Sequence, residues 1–145
     1  MQLDRTLTHR LHTLHKLTDI ATARAYESEL GLSLSDSRCL AAIGAFAGDA
    51  GSMSVNDLAR HANLNKSQAS RAAQSLIDQG LVSKSGNTLD GRGVALTLTR
   101  RGKTMHARCM ALIELRNAEI FGLLSAGQRA LLGDLLDQVL QANQI

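Results

Sequence analysis

Residues 54–80 read SVNDLARHANLNKSQASRAAQSLIDQG, and residues 81–99 continue LVSKSGNTLDGRGVALTLT. Ser54 stands where an N-cap belongs, before VNDLARHA, whose Val55, Leu58, Ala59 and Ala62 fall on one helical face. Asn63 and Leu64 predict a tight turn. Asn65 then caps a further helix, KSQASRAAQSLIDQ, which Gly80 ends. Beyond Gly80 the apolar period changes from helical to alternating. LVSKS predicts a strand, GNTLDGRG a glycine-rich hairpin tip, and VALTLT a return strand with Val94, Leu96 and Leu98 on one side.

Helix, tight turn, helix and hairpin in that order make a winged helix-turn-helix, in which the second helix enters the major groove of DNA. Its chemistry divides cleanly by face. Ala69, Ala72, Ala73, Leu76 and Ile77 form the stripe expected to be buried. Lys66, Ser67, Gln68, Ser70, Arg71 and Gln74 face outward, with Asn65 at the helix start and Asp78 as the one acid, at its far end. An arginine can read guanine through two hydrogen bonds and a glutamine can read adenine, whereas serine and lysine suit phosphates. In the wing, Arg92 sits between two glycines at the hairpin tip, where a narrow ribbon can deliver one guanidinium into a minor groove. Asp90 is placed to hold that guanidinium or to brace the turn.

Working outward, residues 4–30 predict one long helix, since Leu3, Leu7, Leu11, Leu14, Leu17 and Ile20 recur at three- and four-residue steps and Gly31 supplies a stop. A second helix is expected to follow an N-cap at Ser35 and to run to about Ala47. After the hairpin, Thr99 or Arg100 opens another long helix, to about Leu124. Ser125 and Gln128 form a capping-box pattern for the last one. That helix carries Leu131, Leu132, Leu135, Leu136, Val139 and Leu140 on two adjacent stripes, more apolar surface than one small lobe needs to cover.

The chain of 145 residues has no proline, and aromatic residues make up 2%, so its core must be aliphatic. The net charge of +3 is unevenly spread. Between Ser54 and Arg108 there are nine Lys and Arg against three acids, a net of +6, and the remaining residues hold seven bases and ten acids, a net of −3. A basic middle of this kind suits a polyanion. RNA is the weaker partner, because the stacking aromatics it favours are confined to Tyr26, Phe46 and Phe121. No apolar run spans a bilayer, no membrane partner is expected, and the first ten residues, MQLDRTLTHR, lack a signal-peptide core; a cytoplasmic location is the expectation. No metalloprotease, phosphate-loop or nucleophile-elbow motif is present, so neither enzymatic activity nor a cofactor is expected.

His9, His12 and His15 recur every third residue, with Asp19 four beyond His15. Metal chelation on one helix normally uses a four-residue step, so exposed polar surface is the expected role. Cys39 and Cys109 lie among apolar neighbours, where buried packing is expected and a cysteine-based redox sensor is the alternative. A protein-interaction winged helix that does not bind DNA is a second alternative. Such a domain has no need of the outward serine and arginine set.

From about Leu34 to Met105 the sequence resembles the MarR family of bacterial transcriptional regulators. The resemblance is carried by SDSRCLAAI, by MSVNDLARHANLNKSQASR, by LIDQGLV and by the wing DGRGVALTLTRRG. Asp90 and Arg92 fit that family's Asp-x-Arg wing, and Ser67, Ser70 and Arg71 fit its recognition helix. The resemblance implies a mainly α fold with a small β-hairpin wing. It implies a winged helix-turn-helix lobe over 34–100 and a helical dimerisation lobe formed by 1–30 and 101–145. It further implies a homodimer on a palindromic double-stranded operator, repression, and release by a small aromatic or phenolic acid. Arg38, with His12 or His15 nearby, is the residue set expected to hold such an acid.

Overall fold

Residues 1–48, 51–86 and 93–144 are described in a computed structural model of the chain. Thr6 closes a short 3-10 turn over Leu3–Arg5 and then caps the first helix, α1 (Leu7–Leu30), by accepting a hydrogen bond from the His9 amide. The regular helix thus begins one turn later than its leucine pattern suggests. Gly31, at φ 66°, ends it in the left-handed conformation that glycine adopts without a steric penalty.

The second helix, α2 (Leu34–Phe46), is capped by Ser33, not Ser35: the Ser33 hydroxyl accepts from the Asp36 amide at 3.1 Å. Two serines two residues apart compete for this role. The choice places Asp36 in the first helical turn, where the helix dipole favours a carboxylate. The third helix, α3 (Val55–His61), starts from Ser54 as its sequence predicts. Asn63 then takes φ 56°, which lets the Leu64 amide reach the Ala59 carbonyl at 2.9 Å and turns the chain into α4 (Lys66–Asp78).

The hairpin pairs β1 (Val82–Ser85) antiparallel with β2 (Ala95–Leu98), in register from Val82 opposite Leu98 to Ser85 opposite Ala95. Met53 adds a bridge to Leu96, exchanging backbone hydrogen bonds of 2.9 and 2.8 Å, and so ties the start of α3 to the base of the wing. The chain ends in α5 (Arg100–Phe121) and α6 (Ala126–Ala142), the latter with the Ser125–Gln128 capping box. No described helix is long and apolar enough to cross a membrane.

The chain divides into two compact units, Met1–Leu112 and Ile113–Ile145. In the first, Leu32, Leu40, Ile43, Leu58, Leu76 and Leu96 are fully buried, so α2, α3, α4 and the wing base share one aliphatic core. Gly102 permits the closest approach in this core, because a Cβ there would lie 1.9 Å from the Leu81 carbonyl oxygen. The second unit has no such core: α6 contains no buried residue, and Leu131, Leu135, Val139 and Leu140 are exposed. In α1, likewise, only Tyr26 and Leu30 are buried, while Leu7 and Leu17 are 73% and 62% exposed. The apolar stripes that mark these helices in the sequence are therefore uncovered in the single chain.

Candidate nucleic-acid interface

Helix α4 is built from both ends. At its start, the Asn65 side-chain oxygen accepts from the Gln68 amide at 2.8 Å and the Gln68 side-chain oxygen accepts from the Asn65 amide at 3.1 Å. This reciprocal box satisfies two of the helix's otherwise orphaned N–H groups. It also uses the acceptor atoms of two residues expected to touch DNA, leaving their NH2 groups to donate. Inward, Ala69, Ala72, Ala73 and Leu76 are buried, and Ile77 is half-buried. Outward, Lys66, Ser67, Gln68, Ser70, Arg71 and Gln74 are all exposed, as their spacing predicts.

On that outer face one guanidinium nitrogen of Arg71 donates to the Ser67 hydroxyl at 3.0 Å, and the Gln74 amide donates to the Asp78 carboxylate at 2.8 Å. The first contact extends Arg71 along the helix toward its N-terminus; the second engages the face's single acid. What remains presented is a row of donors. The Lys66 and Ser67 amides, in the first helical turn, have no intrahelical acceptor and add to it.

The wing is anchored by the strand pairing and by a cross-strand contact between the Ser83 and Thr97 hydroxyls at 2.9 Å. Asp90 and Arg92, the predicted wing contacts, lie outside the described residues.

Four residues at the far end of α4, Asp36, Ser75, Gln79 and Arg101, make contacts that escape a sequence reading. Asp36, only 8% exposed, accepts from the Ser75 hydroxyl at 2.5 Å and from the Gln79 amide at 3.2 Å, joining α2 to the last turn of α4. These partners are 39 and 43 residues from Asp36 in sequence, and no local pattern signals the pairing. On the other side of that turn, the Arg101 guanidinium donates to the Gln79 carbonyl at 3.2 Å, satisfying a carbonyl at the helix end.

The residues considered for a small ligand cluster through Asp19. Arg38 donates to one Asp19 oxygen at 2.8 Å, and His15 contacts the other at 3.1 Å. His12 is exposed and takes no part in this cluster. Among the described residues no group of three or more His, Cys, Asp or Glu is placed to hold a metal ion. Cys39 and Cys109 are fully buried. Burial, aided by the nearby Asp36 charge, pushes the Cys39 thiol up to about 12, and burial alone pushes Cys109 up to about 11. Both are protonated at neutral pH, so neither supplies the thiolate on which peroxide chemistry depends.

A sequence profile of the MarR family matches residues 30–93. Over 102 residues the chain is 30% identical to the HTH-type transcriptional repressor Rv2887 of Mycobacterium tuberculosis, covering 70% of each protein. A MarR family transcriptional regulator from Silicibacter pomeroyi superposes with a TM-score of 0.81 at 26% identity, over 98% of this chain and 92% of that one. A cysteine-to-serine mutant of Escherichia coli MarR, solved complexed with operator DNA, superposes with a TM-score of 0.75 at 24% identity, over 92% of this chain and 93% of that one. With winged-helix geometry, profile and relatives in agreement, the chain belongs to the MarR family of transcriptional regulators.

Proposed function

We propose that the protein is a cytoplasmic transcriptional repressor that binds a palindromic double-stranded DNA operator as a homodimer. One observation carries the reading: the exposed face of α4 presents Lys66, Ser67, Gln68, Ser70, Arg71 and Gln74, while its opposite face is anchored in the core. Arg71 has the geometry to take two acceptors of a guanine edge, Gln74 carries an amide group for adenine, and the Gln68 NH2 is left to donate. Ser67, Ser70, Lys66 and the free amides of the first turn serve the phosphates, and Arg92 with Asp90 serves the wing. A winged helix devoted to protein contacts would have no use for this donor row.

Dimerisation is supported by the uncovered aliphatic stripes of α1 and α6. Side chains of that size gain roughly 1.5–3 kcal/mol each when buried, so a second copy is the natural cover. A two-fold dimer presents two α4 helices to half-sites about 10 base pairs apart on one side of the duplex. The proposal includes release by a small aromatic acid held at Arg38. Because one Arg38 nitrogen already donates to Asp19, with His15 on the same carboxylate and His12 outside the cluster, the acid competes with Asp19 for that guanidinium. Asp19→Asn should then tighten the acid's binding.

The test is selection of bound duplexes from a random library, followed by footprinting. A symmetric site with half-sites one helical turn apart is expected. Enrichment of no sequence would sink the reading.

A further inference from the structure

We propose that Asp36 is a positioning residue for DNA recognition, holding α4 in register and rotation through Ser75 and Gln79 without touching DNA itself. The proposal rests on the DNA-binding reading of the α4 outer face. The inner face of that helix is built mainly of small side chains, to which half-buried Ile77 and the Arg101 contact with the Gln79 carbonyl add their hold. The inner face of α4 is Ala69, Ala72 and Ala73, followed by one large, fully buried side chain, Leu76. Alanine ridges project a single methyl each, so they form shallow ridges and grooves against neighbouring helices. A helix seated this way resists being pulled out of the core far better than it resists sliding or turning.

Small rotations matter at the outer face. At the 5–6 Å outer radius of a helix, a turn of about 10° displaces a side-chain tip by roughly 1 Å. Hydrogen bonds to base edges tolerate a heavy-atom spread of only about 0.5 Å. The polar lock supplies the missing definition. One Asp36 oxygen accepts from the Ser75 hydroxyl at 2.5 Å and from the Gln79 amide at 3.2 Å, and Gln79 also donates to the Ser75 hydroxyl at 3.1 Å. The carboxylate is itself fixed. It lies in the first turn of α2, whose Ser33 cap holds the Asp36 amide at 3.1 Å. Two donors one turn apart on α4 therefore converge on a single buried atom, which sets both the height and the angle of the helix.

The experiment compares wild type with Asp36→Ala, Asp36→Asn and Ser75→Ala. Fluorescence anisotropy gives affinity for a selected operator and for a scrambled duplex, and amide hydrogen exchange of the free proteins reports on residues 74–79. Asp36→Ala should lose about tenfold or more in operator affinity, the loss of one charged hydrogen bond or more, with scrambled-duplex affinity changed less than about twofold. Exchange in the last turn of α4 should rise. Ser75→Ala, the milder change, should lose about threefold to tenfold. Asp36→Asn should stay within about threefold of wild type, because its carbonyl oxygen can take the place of the one carboxylate oxygen that accepts from both Ser75 and Gln79. A folded Asp36→Ala that binds the operator like wild type would overturn the proposal, as would equal loss on operator and scrambled DNA, or an Asn variant as weak as Ala. If wild type itself prefers no duplex, the DNA reading fails instead, and unchanged exchange in Asp36→Ala alone then refutes the positioning role.

Discussion

Asn65 serves two purposes on the α4 face, and substitution can separate them. In the free protein its side-chain oxygen caps the helix by accepting from the Gln68 amide at 2.8 Å, with Gln68 returning the bond at 3.1 Å. Replacing such a cap by alanine costs about 1 kcal/mol, within a range of 0.5–2. For a chain of this size that corresponds to a Tm about 4 °C lower. Gln68→Ala removes only the returning arm at an exposed site, where water replaces it, and should cost about half as much. Asn65→Asp keeps a capping oxygen beside a helix N-terminus, so thermal stability should return to the wild-type value or above it. The same substitution sets a carboxylate against the phosphates, and operator affinity should fall by about tenfold or more. Differential scanning calorimetry and anisotropy on the same samples read the two effects. If Asn65→Asp fails to recover Tm, the cap assignment is wrong. If it recovers Tm and binds DNA as well as wild type, the start of α4 does not face the backbone.

Gly102→Ala would place a Cβ 1.9 Å from the Leu81 carbonyl oxygen, forcing α5 away from the wing base; an unfolding free energy lower by about 1–3 kcal/mol or more is expected, and a loss under about 0.5 kcal/mol would show that the contact yields freely. Since burial raises both thiols from an ordinary 9.0, to about 12 for Cys39 and about 11 for Cys109, their neutral forms contribute stability that is complete below pH 9 and is lost as pH rises through 11 to 12. Denaturant midpoints should therefore fall more steeply above pH 9 in wild type than in Cys39→Val, and prompt maleimide labelling of the native protein at pH 8 would contradict the burial. Arg92→Ala should weaken binding more on operators with A·T-rich flanks than on G·C-rich ones, because only the former narrow the minor groove; equal losses would reduce Arg92 to a phosphate contact.

The parts of this fold legible in the sequence are those set by neighbouring residues. Ser54, Asn65 and Ser125 cap helices where their spacing to the next polar residue says they do, and Gly31 and Gly80 end them with positive φ. The outer face of α4 follows from helical period alone, and all six outward residues are exposed. Where local signals compete, the sequence misleads: Ser33 and Ser35 both suit an N-cap, and burial of Asp36 favours Ser33. Contacts between distant segments leave no periodic trace. The Met53 bridge to Leu96, the Asp36 lock on α4 and the Arg101 contact with Gln79 are of this kind. Arg38 illustrates the remaining gap. Its position in α2 is legible, but the carboxylate that engages it comes from Asp19 on α1.

The central claim, that the outer face of α4 reads a DNA sequence, is tested most directly by Arg71→Ala. Arg71 is exposed and, among the described residues, bonded only to Ser67, so its truncation should leave circular dichroism and Tm unchanged. A bidentate arginine contact is worth about 1–3 kcal/mol, and a two-fold dimer loses it twice. Anisotropy titration against the selected palindrome should show operator affinity lower by roughly 2–6 kcal/mol, approaching that for a scrambled duplex, with scrambled-duplex affinity reduced only slightly. A folded Arg71→Ala protein that binds the palindrome as tightly as wild type would contradict the account.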